Sequence, residues 1–164
     1  MKNAFRRVDI EIEKGDLPLT NNSTSQIERS LEAPGADEVQ VSIDSTGLCG
    51  SDLHYYNHYR NGDILVREPL TLGHESSGTV VAVGSAVTNL QPGDRVALEV
   101  GLPCESCDYC KSGRYNICKG MKFRSSAKAF PHMQGTLQER INHPARWVHK
   151  YVPCCLCLFS YTYV

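Results

Sequence analysis

The chain has 164 residues, 17 basic and 18 acidic side chains, a formal net charge of −1 and 41% hydrophobic residues. This charge balance gives no electrostatic reason to expect a nucleic acid or an anionic membrane as a partner. The N-terminus, MKNAFRRVDIEIEKGD, is interrupted by charges and contains no apolar signal segment. We therefore expect a cytoplasmic protein, and in that reducing compartment clustered cysteines are metal ligands more often than disulfides.

The chain begins with a region, residues 1–36, in which we expect an N-terminal strand and loop. Residues 15–37 are rich in Asn, Ser, Thr, Gly and Pro and are typical of a loop. The next segment, VQVSID, alternates strictly, so that Val39, Val41 and Ile43 share one face. This pattern predicts a half-buried strand.

Further short strands follow, separated by turn signals. GTVVAVG is β-branched and bounded by Gly78 and Gly84, PGD at 92–94 predicts a turn, and RVALEV predicts a strand after it. A β-like segment, GTLQERINHP, spans residues 135–144. Short strands without a long amphipathic helix predict a mainly β fold, a barrel or a sandwich.

The sequence shows no dinucleotide-binding signature. None of its 13 glycines belongs to a G-x-G-x-x-G pattern, and strands do not alternate with helices. We therefore expect no Rossmann domain and no cofactor-binding residues in this chain. The last segment, YVPCCLCLFSYTYV, is uncharged and rich in cysteine and aromatic residues. We interpret residues 151–164 as an atypical, non-native tail; the alternative is a final strand paired to the sheet.

Four cysteines lie within CESCDYCKSGRYNIC at the spacing C-x2-C-x2-C-x7-C: Cys104, Cys107, Cys110 and Cys118. Four thiolates can complete the tetrahedral shell of one zinc ion, and a closed shell leaves no position for substrate, so such a site is structural. An iron–sulfur cluster is one alternative, but its usual run ends with a shorter gap and a proline, and here Lys119 follows. Disulfides are the other alternative. The sequence favours a structural zinc lobe at about residues 101–120.

A second set of residues could form an open metal site. GLCGSDLHYY presents Cys49, and LGHESSG presents His74 and Glu75. A thiolate, an imidazole and a carboxylate are all zinc ligands, and three ligands plus water make a catalytic site. Ser51 lies close enough in sequence to pass a proton from a metal-bound alcohol. From these residues alone, Cys49 could equally be a small buried side chain and His74 a solvated one.

Four segments of the sequence, taken together and in order along the chain, resemble one protein family. GLCGSDLHYY, PLTLGHESSGTVVAVGSAVTNLQPGDRVALEVG, CESCDYCKSGRYNIC and GTLQERINHPARWVHK resemble the zinc-dependent medium-chain dehydrogenases, most closely the polyol branch of sorbitol, xylitol and arabinitol dehydrogenases. The resemblance covers roughly residues 37–150. It implies that this segment is a GroES-like β-barrel catalytic domain with a zinc-binding lobe.

The resemblance also implies roles for individual residues. Cys49, His74 and Glu75 match the ligands of the catalytic zinc, and Ser51 matches the hydroxyl that relays the substrate proton. Tyr55 and Phe123 match aromatic substrate contacts. Two zinc ions are thus implied, one catalytic and one structural, the latter held by the four clustered cysteines.

The implied reaction is the NAD-dependent oxidation of a polyol, a small molecule, to a ketose by an enzyme that is a homo-oligomer in its family. This chain stops before the family's Glu-Pro motif and its Rossmann domain, so we expect a truncated polyol dehydrogenase. A non-catalytic zinc-binding fragment is the alternative, and an iron–sulfur protein is a remote one.

Overall fold

The structure is a computed structural model that describes residues 4–10 and 24–151, and every structural statement below concerns that part of the chain. Apart from Tyr151, the predicted atypical tail lies outside the described residues. The elements of the described part are β1 (Ala4–Ile10), β2 (Thr24–Ser30), β3 (Glu38–Gly47), α1 (Gly50–His58), β4 (Arg60–Asn61), β5 (Ile64–Leu65), β6 (Leu70–Thr71), β7 (Glu75–Val83), β8 (Arg95–Leu98), β9 (Gly101–Leu102), α2 (Asp108–Lys111), β10 (Lys122–Phe123), β11 (Arg140–Pro144) and β12 (Val148–Lys150).

The main sheet has five antiparallel strands in the order β11-β3-β7-β8-β12. Its core is a cluster of branched side chains in which Val39, Val41 and Val96 have no exposed surface and Val80 and Ile141 are almost fully buried. The strands predicted from alternation and β-branched runs are therefore the centre of this sheet, and the mainly β fold class is confirmed. The described residues contain no helix long and apolar enough to cross a membrane.

Two segments differ from the sequence prediction. Thr24–Ser30 forms strand β2, although its polar composition predicted a loop, because it pairs along its whole length with β1. Only the second half of the predicted strand at 135–144 belongs to the sheet, as β11. Its first half turns away and donates backbone hydrogen bonds from Gly135, Thr136 and Leu137 to the carbonyls of residues 71–73.

Helix α1 is fixed by a second, smaller core. Tyr55 and Tyr59 are buried under the helix against Val66, Leu70 and Leu72. The helix ends where Tyr59 adopts a left-handed conformation with φ 50°, and its N–H donates to the Tyr55 carbonyl. This packing holds the start of α1, and with it Cys49, against the turn before β7.

A buried arginine and histidine join the loop before residue 135 to the main sheet. Arg124 Nε donates to His143 Nδ1 over 3.0 Å, and the other guanidinium nitrogens donate to the Gln134 and Asn142 carbonyls. His143 is therefore neutral and its Nε2–H donates to the Glu99 carbonyl over 3.1 Å. Burial, together with the Arg124 charge, lowers the pKa of His143 to about 3.

This depressed pKa predicts acid sensitivity. Below its ordinary pKa near 6.5, His143 takes up a proton in the unfolded chain but not in the folded one until about pH 3. We expect the wild-type protein to lose about 3 kcal/mol more unfolding free energy between about pH 7 and about pH 4 than His143→Gln, which cannot titrate there. Urea unfolding of both proteins in the presence of a metal chelator measures this difference; parallel pH profiles would contradict it.

Gly78 marks a close approach of two strands in the main sheet. A Cβ atom built there would lie 2.2 Å from the Ser42 carbonyl oxygen in β3. We expect Gly78→Ala to destabilise the fold by about 1–3 kcal/mol, because neither backbone can yield without breaking the ladder. Gly50→Ala is the matched control, since its Cβ would meet nothing within 4 Å. Equal unfolding midpoints for the two variants would contradict this prediction, because they would show that β3 and β7 accommodate the added methyl group without loss of stability.

Candidate metal centres

The four predicted lobe cysteines converge on one point. Cys107 immediately precedes α2, and Cys118 follows a short 3₁₀ turn, Tyr115–Ile117. Four of the Sγ–Sγ distances lie between 3.4 and 4.0 Å, and all four sulfur atoms lie within 4.8 Å of one another. Zn–S bonds of about 2.3 Å in a tetrahedral shell place sulfur atoms about 3.8 Å apart. The cluster therefore fits zinc.

The thiols of this lobe already differ in proton affinity. Hydrogen bonds from the backbone and side chain of Ser106 lower the pKa of Cys104 to about 6. Desolvation and hydrogen bonds with Cys107 and Cys118 raise the pKa of Cys110 to about 12. The Cys104 thiol thus ionises more readily than an ordinary thiol, whereas the Cys110 thiol resists ionisation until a cation replaces its proton.

The lobe is attached to the end of the main sheet by aromatic and ionic contacts. The Trp147 ring lies 5.0 Å from that of Tyr115, and its Nε1 donates to Glu105 over 3.2 Å. Arg146 pairs with the same carboxylate at 2.8 Å. The order of the lobe is therefore coupled to β12, the strand that begins directly after Trp147.

The second constellation also assembles, around Cys49 and His74. Cys49 Sγ lies 2.9 Å from His74 Nε2 and 2.8 Å from Ser51 Oγ, and Ser51 Oγ lies 3.5 Å from His74 Nε2. Cys49 precedes α1 and His74 precedes β7, so the site lies where the smaller core holds these two elements together. The thiol and the imidazole nitrogen are both zinc ligand types, and the Ser51 hydroxyl lies beside the point where they meet.

The other nitrogen of His74 faces a buried carboxylate. Nδ1 lies 3.5 Å from Asp52 Oδ1, and it is the only fully buried side-chain nitrogen or oxygen in the described part without a well-formed hydrogen bond. Asp52 is 1% exposed and accepts hydrogen bonds from the backbone of Cys49 and Gly73. Donor atoms of Asp52, Cys49 and His74 lie within 4.8 Å of one another, but Asp52 approaches Nδ1, whereas Cys49 contacts Nε2. This arrangement is the one in which a carboxylate orients a metal-binding histidine.

These contacts shift the protonation of all three groups. Interaction with Asp52 raises the pKa of His74, despite the opposing effect of burial. Burial acts to raise the pKa values of Cys49 and Asp52, but hydrogen bonds outweigh it in both. Hydrogen bonds from Ser51 and the Asp52 backbone lower the pKa of Cys49. The approach of His74, together with hydrogen bonds from the Cys49 and Gly73 N–H groups, lowers the pKa of Asp52. Both shifts stabilise the ionised forms of Cys49 and Asp52, which lie on either side of the imidazole.

Glu75, the predicted third ligand, lies outside this group. It is exposed at the start of β7, and its carboxylate lies over Gly47, where it would meet a Cβ atom at 2.6 Å. Asp52, by contrast, was missed by the sequence analysis. Its signal is the acidic residue in the first turn of a helix, three positions after Cys49, where a carboxylate caps the backbone. Ligation by Glu75 stays a prediction.

The two predicted aromatic contacts occupy different surroundings. The Phe123 ring is 41% exposed and lies edge-on to His74, with ring centroids 5.4 Å apart. Tyr55 is only 2% exposed, and its hydroxyl accepts a hydrogen bond from the Ala127 N–H over 3.3 Å. Phe123 is therefore available to a ligand at the site, whereas Tyr55 packs beneath α1.

Comparison with known proteins places these centres in a family. Residues 35–153 match the alcohol dehydrogenase GroES-like domain. The chain belongs to the alcohol dehydrogenase family. The GroES-like fold predicted from the sequence resemblance is thereby confirmed.

Its relatives include several polyol dehydrogenases. Sorbitol dehydrogenase of Gallus gallus is 44% identical over 136 residues, which cover 83% of this chain and 35% of that protein. L-arabinitol 4-dehydrogenase of Aspergillus oryzae is 46% identical over 122 residues, 74% of this chain and 31% of that protein. The structure of L-idonate 5-dehydrogenase from Escherichia coli matches with a TM-score of 0.79 and 27% identity, over 92% of this chain and 40% of that one. The chain spans about a third of the length of the curated relatives it matches.

Loss of one lobe thiolate predicts a local effect. We expect Cys107→Ser to lower the zinc content and to expose residues 101–120 to proteolysis, because the free energy of metal binding is here also free energy of folding. Metal analysis and limited proteolysis measure both effects. Lys119→Ala, an exposed change beside Cys118 that removes no thiol, is the control. Unchanged zinc content and protease resistance in Cys107→Ser would rule out the closed four-thiolate site.

Proposed function

We propose that this chain is the substrate-binding and proton-transferring part of a zinc-dependent polyol dehydrogenase, whose full reaction is the NAD-linked oxidation of a secondary alcohol to a ketose. The observation that carries the proposal is the convergence of Cys49 Sγ, His74 Nε2 and Ser51 Oγ within 3.5 Å. The similarity to sorbitol and arabinitol dehydrogenases supports a polyol as the substrate.

Cys49 and His74 would hold the zinc ion, with Glu75 as the proposed third ligand. A zinc ion in an open site supplies Lewis-acid chemistry, which lowers the pKa of a coordinated hydroxyl group. Ser51 Oγ is half-buried beside both Cys49 and His74, a position from which it can accept the alcohol proton and pass it outward. Phe123 offers an exposed apolar surface beside His74 against which the carbon chain of a polyol can pack.

The thiolate and the imidazole need no large rearrangement to share an ion. Their donor atoms, at 2.9 Å, are already in hydrogen-bond contact, and their ordinary bond lengths to zinc require them to part only slightly. Asp52, beside Nδ1, would keep the His74 ring oriented as the two donor atoms separate. The lobe cysteines would hold a second zinc ion with a structural role.

A direct test replaces zinc at the open site with cobalt, whose visible spectrum reports its ligands. With the four-cysteine lobe already filled by zinc, we expect sorbitol or xylitol to change the cobalt spectrum, because a substrate hydroxyl enters the coordination shell. Cys49→Ala should abolish cobalt uptake at this site, whereas Lys111→Ala, on the exposed face of α2, should not affect it. A spectrum indifferent to every polyol would overturn substrate binding at this site.

Turnover is tested in a chimera in which residues 35–150 replace the matching segment of the Gallus gallus sorbitol dehydrogenase. We expect polyol-dependent reduction of NAD, and Ser51→Ala should lower kcat about 10²-fold or more with a small effect on KM, since only proton transfer is lost. Equal kcat in the chimera with and without Ser51→Ala would show that Ser51 takes no part in proton transfer. A chimera that binds zinc at both centres but shows no turnover would favour a non-catalytic zinc-binding module.

A further inference from the structure

Three consecutive residues after the zinc lobe alternate between the candidate site and the core. Phe123 packs its ring against His74, and Ser125 Oγ donates to Asp52 Oδ1 over 3.0 Å. Arg124, between them, points the other way and binds His143 and the Asn142 carbonyl. Arg124 and Ser125 lie in the turn that follows β10, so this short stretch reaches His74 both directly, through Phe123, and indirectly, through Asp52.

Ser125 contributes a specific contact rather than general packing. It is 3% exposed, and its hydroxyl bonds to the same carboxylate oxygen that lies 3.5 Å from His74 Nδ1 and accepts the Gly73 N–H. With the Cys49 N–H on its other oxygen, the Asp52 carboxylate is fixed on both oxygens. The Ser125 hydroxyl is the side-chain donor among these, and its removal leaves the oxygen that faces His74 with a single donor, the Gly73 N–H.

The backbone of Ser125 supports the same conclusion. Its φ of 60° lies in the left-handed region, where glycine would be unstrained and a side chain costs free energy. This backbone conformation therefore disfavours serine relative to glycine, and what serine contributes here comes from its hydroxyl group. The only side-chain hydrogen bond found for Ser125 in the described part of the chain is the one to Asp52.

We propose that Ser125 is a positioning residue of the open metal site, which holds Asp52 so that His74 keeps its Nε2 directed at the metal beside Cys49. Arg124 anchors the segment that carries Ser125 to strand β11, so the position of His74 depends on the loop after the zinc lobe as well as on its own turn. This inference rests on the proposed metal site at Cys49 and His74.

The test compares Ser125→Ala, Ser125→Gly and Ser126→Ala in the full chain with its lobe filled by zinc. Ser125→Gly removes the hydroxyl but relieves the backbone strain, so we expect thermal stability at least equal to that of Ser125→Ala. Both should bind cobalt at the open site about 10-fold or more weakly than wild type, with altered visible bands. Ser126→Ala, whose hydroxyl accepts from the Lys128 N–H and does not contact Asp52, should bind as wild type does.

A second readout needs no metal. In the wild-type protein, nitrogen NMR of the His74 ring should show the tautomer with its proton on Nδ1, the atom facing Asp52, and both Ser125 variants should show a mixture of tautomers.

Results that contradict the role of Ser125 can be told apart from a result that contradicts the metal site itself. Wild-type cobalt affinity and spectrum in Ser125→Gly would overturn the role of Ser125 and leave the metal site standing. Equal weakening by Ser126→Ala would also overturn it, since the effect would then be one of loop packing. A wild-type chain that takes no cobalt at Cys49 and His74 would overturn the proposed function, and this inference with it.

Discussion

The arrangement of the candidate catalytic site depends on one buried carboxylate. Asp52 accepts hydrogen bonds from the Cys49 N–H at the start of α1, the Gly73 N–H in the turn before β7, and the Ser125 hydroxyl. These donors come from three segments far apart in sequence, and none of them is a full positive charge. A carboxylate that is 1% exposed needs such partners to remain ionised. The same bonds that keep Asp52 ionised also bring Cys49 and His74 together, so site geometry and local stability have one cause.

The two cysteine-containing centres differ in charge as well as in access. Four thiolates around one divalent cation carry a net charge of −2 and leave no free position, so the lobe cannot act as a Lewis acid. A single thiolate and a neutral imidazole leave a net charge of +1, and one carboxylate ligand such as Glu75 would reduce it to zero. The open site thus keeps more electrophilic character and a free position. This difference in charge supports the proposal that the cysteine cluster is structural and that the Cys49–His74 pair is the site of chemistry.

Sequence patterns predicted the parts of this protein that are set by local residue types. Val39 and Val41 alternate because β3 has one face in the core, and the close cysteine spacing of the lobe lets its four sulfur atoms lie within 4.8 Å of one another. The strand β2 could not be predicted in this way, because its polar residues form a strand only by pairing with β1. Asp52 and Ser125 were missed for a related reason: each looks like an ordinary polar residue until folding brings them within 3.0 Å of each other.

The family resemblance supplied what local patterns could not, namely that Cys49 and His74, 25 residues apart, belong to one site, and their donor atoms do lie 2.9 Å apart. It supplied less for residues whose role depends on side-chain direction. Tyr55 and Phe123 were both matched to substrate contacts, yet one is buried under α1 and the other is exposed beside His74. Arg124 points into the core, where it binds His143, while its two neighbours Phe123 and Ser125 contact His74 and Asp52. The aromatic ring that a ligand at the open site would meet therefore belongs to the short segment that Arg124 fixes to β11.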